Sequence, residues 1–145
     1  MKIKNLYFSP VKSLSFNNVD NLEIIKNIGI KNDRIFAFTN NLNFKDIELI
    51  KNDPLKREIY KFLSLKKYPE LNEYNFLLEN NFLILEFENN IILKTDIDNQ
   101  HEVKILCSKL EDILPNINEI NLLKDSVNPF FDTMPNKSIS LINLN

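Results

Sequence analysis

One cysteine, one histidine, one glycine and no tryptophan occur in 145 residues, and the scarcities narrow what the chain can do. Cys107 alone cannot form an internal disulfide. Even joined by His101, it cannot supply a multi-cysteine zinc or iron–sulfur site. Apolar runs are short: residues 82–85 are among the longest, far below the ~20 needed to cross a bilayer. The N-terminus, MKIKNLYFSP, alternates charged and apolar residues. It has no continuous apolar segment of the secretory kind, so a cytoplasmic address and no membrane partner are expected. Eighteen basic and twenty acidic residues give a net charge of -2. No Lys/Arg block stands out, and nothing marks nucleic acid as a partner.

What is present is enough for one globular core, with 43% hydrophobic and 26% charged residues. The first forty residues read as short strands, at 3–8, 22–28 and 34–39, closed by Pro, Gly or Asn turns. Asn40-Asn41 suits a tight hairpin turn, which predicts pairing of 34–39 with residues 42–44. Asp53-Pro54 then looks like a helix start, followed at helical spacing by Leu55, Ile59, Phe62 and Leu63. Beyond Pro69, three β-rich runs at 74–78, 82–87 and 91–95 predict an antiparallel meander.

The clearest helix is expected over 100–114. Val103, Leu106, Cys107, Leu110, Ile113 and Leu114 form one apolar stripe, Asp98 or Asn99 can cap it, and Pro115 ends it. Residues 120–123 and 138–144 read as further strands, with a proline-bearing loop between them. The expected class is mainly β: a barrel-like α+β fold of antiparallel strands with one short and one longer helix.

Two constellations could carry chemistry. In SPVKSL, at 9–14, a proline follows a strand, and Lys12 and Ser13 can project together as a point charge and a hydroxyl donor, a pair suited to an anionic oxygen group. In GIKNDR, at 29–34, the single glycine suits a positive-φ backbone, and Asp33 followed by Arg34 offers a carboxylate–guanidinium contact. Taken alone, a solvated turn and an ordinary surface arginine are the simpler readings. Cys107 lies on an apolar helix face, where a free cysteine behaves as a small hydrophobe, and His101 in the first helical turn has no nucleophile beside it.

Together these segments resemble a known pattern. SPVKSL, GIKNDR, FLSLKKYPEL at 62–71 and FFDTMPNKSISLINLN at 130–145 occur in the order found in the N-terminal β-barrel domain that precedes MOSC domains. That family of molybdenum-cofactor proteins includes the mitochondrial amidoxime-reducing component and bacterial relatives. Asn32 stands where the pattern has glycine before Asp-Arg, a mild change because Asn tolerates left-handed backbone.

The resemblance implies that residues 1–137 form the N-terminal barrel domain and that 138–145 begin a MOSC domain continuing beyond this chain. It implies that Lys12, Ser13 and Arg34 help hold the phosphate-bearing pterin of the molybdenum cofactor. It also implies an electron-transfer partner and an oxidoreductase or sulfur-carrier activity whose metal-binding cysteine lies in that further domain, not at Cys107. The alternative is a free-standing binding or interaction module with the same barrel.

Overall fold

The computed structural model describes residues 3–131; the strand expected at 138–144 lies outside them. Nine strands, two α-helices and two 3-10 helices succeed one another along the described residues. All of the strand ladders are antiparallel, which gives the mixed, mainly β class that the sequence indicates. The ladders are short. Three are pairs, one has three strands, and among the described residues they do not close into a barrel.

The organising element is β5 (Phe36–Asn40). Its residues from Phe36 to Thr39 are all buried, as expected for a strand covered on both faces, where apolar residues run continuously instead of alternating. Phe36 and Phe38 point into the main core with Val11, Leu14, Leu63, Phe76 and Leu106. Ala37 points the other way, into a smaller core with Ile50, Leu123 and Phe130. Successive strand residues face opposite sides, so one strand supplies both cores.

The expected hairpin of β5 with residues 42–44 does not form. Asn41 does turn the chain at a φ of 54°, but Asn43 then caps a helix, its side chain accepting from the Asp46 N–H. Residues 44–52 become α1 (Phe44–Asn52). A strand buried on both faces needs a strand beside it, and β5 finds β9 (Ile120–Lys124) from eighty residues downstream.

On its other edge lie two short segments. Residues 10–12 run parallel to it, with the Phe36 N–H bonded to the Pro10 carbonyl at 3.0 Å and the Lys12 N–H to the Phe36 carbonyl at 2.8 Å. Farther along, the Leu63 N–H bonds the Phe38 carbonyl at 2.8 Å.

The short helix expected after Asp53 is a 3-10 helix, Pro54–Ile59, with proline in its first turn and no side-chain cap from Asp53. It stops early because Phe62 and Leu63 are extended against β5 and cannot share a helical stripe with Leu55.

The remaining strands match the sequence more closely. β1 (Leu6–Phe8) pairs with β2 (Asn17–Val19), a strand too polar to stand out in the sequence, and the region 22–28 folds with Gly29 into the small hairpin of β3 (Ile24–Ile25) and β4 (Gly29–Ile30). The predicted meander is present as β6 (Tyr74–Glu79), β7 (Phe82–Phe87) and β8 (Asn90–Asp96).

Helix α2 (Gln100–Ile113) is capped by Asn99, whose side chain accepts from the N–H groups of His101 and Glu102. Glu102 reaches back to the Asn99 side chain and to the Asp96 N–H, tying the helix start to β8. Its apolar stripe, with Leu106, Cys107 and Leu110 buried, packs on the main core.

Cys107 is 7% exposed. Burial pushes its thiol up to about 11; a backbone hydrogen bond from Leu122 opposes the rise, and the Glu111 carboxylate adds to it. Only the thiolate attacks, so near pH 8 the native thiol should label about 100-fold or more slowly than an unfolded cysteine. Comparing rates with a maleimide or disulfide reagent in buffer and in urea checks this. Equal rates would mean that the helix face is open.

Candidate functional site

The two motifs singled out in the sequence are hydrogen-bonded neighbours. The chain leaving β1 passes Ser9, whose N–H donates to Asp33 Oδ1 at 2.9 Å and whose carbonyl accepts from the Arg34 N–H at 2.6 Å. Ser9 Oγ donates to the Val11 carbonyl at 2.6 Å and tightens the turn through Pro10. The SPVKS turn and the Asp-Arg dipeptide are thus fastened together at the entry to β5.

Such a junction demands unusual backbone. Ser13, Asn32 and Arg34 all adopt positive φ, at 57°, 64° and 53°. Asn accepts this region readily; Ser and Arg do so only where surrounding bonds hold them. The Ser13 carbonyl accepts from the Leu65 N–H at 3.2 Å, and Arg34 is held on both sides, by Ser9 and by the Phe130 N–H, which donates to its carbonyl at 2.8 Å. Gly29 has a φ of 110°. A Cβ there would meet only Phe131 at an ordinary 3.9 Å, so backbone conformation, not space, explains the glycine.

Lys12 and Arg34 come together on one segment, residues 130–131. Lys12 Nζ donates to the Phe130 carbonyl at 3.2 Å and lies 5.6 Å from the Phe62 ring centre. The Arg34 guanidinium lies 5.3 Å from the Phe131 ring centre and 6.0 Å from that of Phe16, and Arg34 Nη1 donates to Asp33 Oδ2 at 2.9 Å. The carboxylate–guanidinium contact expected from the sequence is therefore present. Ser13 belongs to the same turn, half-buried, and is tied to Leu65 through its backbone.

Exposure separates the two cations. Lys12 is 8% exposed as a residue, whereas the Arg34 side chain keeps 21% of its surface. Nη1 is committed to Asp33, and the rest of the guanidinium edge is suited to a phosphate or carboxylate oxygen. Lys12 is buried, with its Nζ engaged by the Phe130 carbonyl.

Asp33 is itself buried. Burial raises its carboxyl above the usual 3.8; the Ser9 N–H and the Arg34 charge oppose the rise without cancelling it. Because the folded state then binds this proton more tightly than the unfolded chain, stability from this group falls as pH rises from 3.8 through the raised value. An NMR titration of the Asp33 carboxyl carbon should give a midpoint above 3.8. A midpoint below that value would mean that the ion pair outweighs burial.

A third cation bears on the same segment and does not stand out in the sequence. Arg57, 5% exposed, donates through Nε to the Ile50 carbonyl at 2.9 Å, through Nη1 to the Asn128 carbonyl and through Nη2 to Asp125 Oδ2 at 2.5 Å. Its guanidinium lies 4.4 Å from the centre of the Phe130 ring, which meets the Phe62 ring edge-on at 5.6 Å. Asp125 Oδ1 accepts from the N–H groups of Val127 and Asn128, closing the turn before Pro129. In the sequence Arg57 sits in a Lys-Arg-Glu stretch and reads as surface. An aspartate placed to cap the turn before Asn128-Pro129 is the one legible sign of order in that loop.

Two open clefts, of about 410 and 430 Å³, flank Phe16. Neither is lined by Lys12, Ser13 or Arg34, and the larger carries Glu73, Glu86 and Glu88, which disfavour an anion. Among the described residues no cluster of three or more His, Cys, Asp or Glu could hold a metal ion, and no helix is long and apolar enough to cross a membrane. No family model, curated protein or solved structure matches the chain, so the likeness to MOSC N-terminal domains rests on its motifs alone.

Proposed function

We propose that the turn formed by Lys12, Ser13 and Arg34 is an anion site, and that it serves as the phosphate anchor of a molybdenum-cofactor protein of the MOSC type. The observation that carries the reading is the direct bonding of the PVKS turn to the Asp-Arg turn, with the Lys12 side chain and the Arg34 backbone both reaching Phe130. Two motifs some twenty residues apart, each weak alone, thereby meet in one place.

In this reading Arg34 holds a phosphate oxygen through the N–H groups that Asp33 leaves, Ser13 offers a hydroxyl donor from the adjacent turn, and Lys12 supplies charge from beneath. The pterin-bound molybdenum supplies the redox or sulfur-transfer chemistry when present. In this reading these three residues bind and orient, and none is assigned the part of an acid, base or nucleophile.

The coding sequence beyond Asn145 is the first test. Continuation into a domain with a cysteine favours this reading, whereas a stop codon favours the free-standing module. If the chain continues, Arg34→Ala in the full-length protein should reduce bound pterin and molybdenum about tenfold. Unchanged cofactor content in a folded Arg34→Ala protein would remove Arg34 from the site.

A further inference from the structure

We infer that Arg57 is a positioning residue for the Lys12–Arg34 site, acting through residues 125–131 without touching the anion. The inference rests on the anion-site reading above.

Phe130 is the shared support of that site. Its carbonyl accepts from Lys12 Nζ and its N–H donates to the Arg34 carbonyl. Phe130 packs in the smaller core and against Phe62, and Arg57 is the polar brace on its chain segment. The guanidinium stacks on the Phe130 ring and bonds the Asn128 carbonyl and the Asp125 carboxylate, while Nε is anchored on the Ile50 carbonyl near the end of α1. The planar fork of arginine bonds three groups on two chain segments at once, which a lysine ammonium of similar reach cannot reproduce. Loosening this fork frees Phe130, and with it the depth of the Lys12 charge and the backbone hold on Arg34. Charge-assisted bonds to an anion depend steeply on donor position, so anion affinity should fall although neither donor is altered.

The test uses inorganic phosphate as probe, titrated into the intact chain and read at the Arg34 Nε–H resonance by ¹⁵N NMR, below the unfolding range of every variant. The wild type should show saturable binding that Arg34→Ala abolishes. Arg57→Lys should weaken it about tenfold, equivalent to about 1.4 kcal/mol. Leu83→Ala, which opens a cavity under the β6–β7–β8 sheet away from residues 125–131, should cost stability yet leave the phosphate affinity unchanged.

If Arg57→Lys does not fold, Asp125→Asn takes its place, since it removes the ion pair and retains the other Arg57 bonds. Wild-type affinity in the folded Arg57 or Asp125 variant, or an equal loss in Leu83→Ala, overturns the positioning role while leaving the anion site standing. Absence of saturable phosphate binding in the wild type overturns the anion site and the inference with it.

Discussion

Arg57→Ala should lower the unfolding free energy by about 3–5 kcal/mol, a large share of what a domain of this size possesses. The charge is almost entirely buried and all three of its nitrogens are engaged. Truncation leaves the Asp125 carboxylate, 16% exposed at its side chain, with its Val127 and Asn128 N–H bonds but without its countercharge, and leaves the Ile50 and Asn128 carbonyls without their donor. It also removes the cation from the face of the Phe130 ring. Most of the expected cost is the penalty of these unpaired groups, not the net value of the ion pair, which desolvation largely offsets.

That distinction can be measured. A double-mutant cycle with Asp125→Ala should show strong coupling, because removing the second partner abolishes the stranded charge created by removing the first. Urea denaturation monitored by far-ultraviolet circular dichroism gives all four free energies. A loss below about 1 kcal/mol for Arg57→Ala would mark the cluster as an ordinary surface pair.

Phe38→Ala should be comparably severe, at about 3–5 kcal/mol. Phe38 is 1% exposed at the middle of β5. Its ring lies 5.6 Å from that of Phe76 in β6, so this contact joins the β5–β9 pair to the three-stranded sheet. The strand cannot move to fill the void, because its edges are bonded to β9 and to Leu63. A cavity at a pinned position collapses poorly, and the cost rises with the volume left behind. Ile91→Ala, at an exposed site in β8, is the matched control and should stay within about 0.5 kcal/mol. Comparable small losses at both positions would mean that β5 is not the centre of the core.

The meander and α2 are legible in the sequence because their signals are local. Residues 74–95 have β-rich runs punctuated by Asn turns, and 100–114 have an apolar stripe, an asparagine cap and a terminating proline. Turn chemistry is equally readable: Gly29 and Asn32 adopt the positive φ expected of them. The region 40–63 departs from its sequence pattern because local and distant demands conflict there. Asn40-Asn41 does turn the chain, but the element that forms after a turn depends on whether the next residues can cap a helix, and Asn43 can. Phe62 and Leu63 fit a helical spacing, yet the open edge of β5 recruits them as extended chain.

The candidate site divides along the same line. Residue type and spacing make Lys12, Ser13 and an Asp33–Arg34 contact candidates, with a solvated turn and a surface arginine the simpler readings; it is the resemblance to the MOSC pattern that joins Lys12, Ser13 and Arg34 into one expected site. Which segment those residues bear on, and that Arg57 and Asp125 bear on it too, is decided only when residues 57, 125 and 130 are brought together across some seventy positions. Backbone preference and apolar periodicity, both written in the sequence, determine the capacity of each short segment taken alone. Packing decides which charge is buried and paired, because burial is a property of everything that surrounds a side chain and of nothing in the side chain itself.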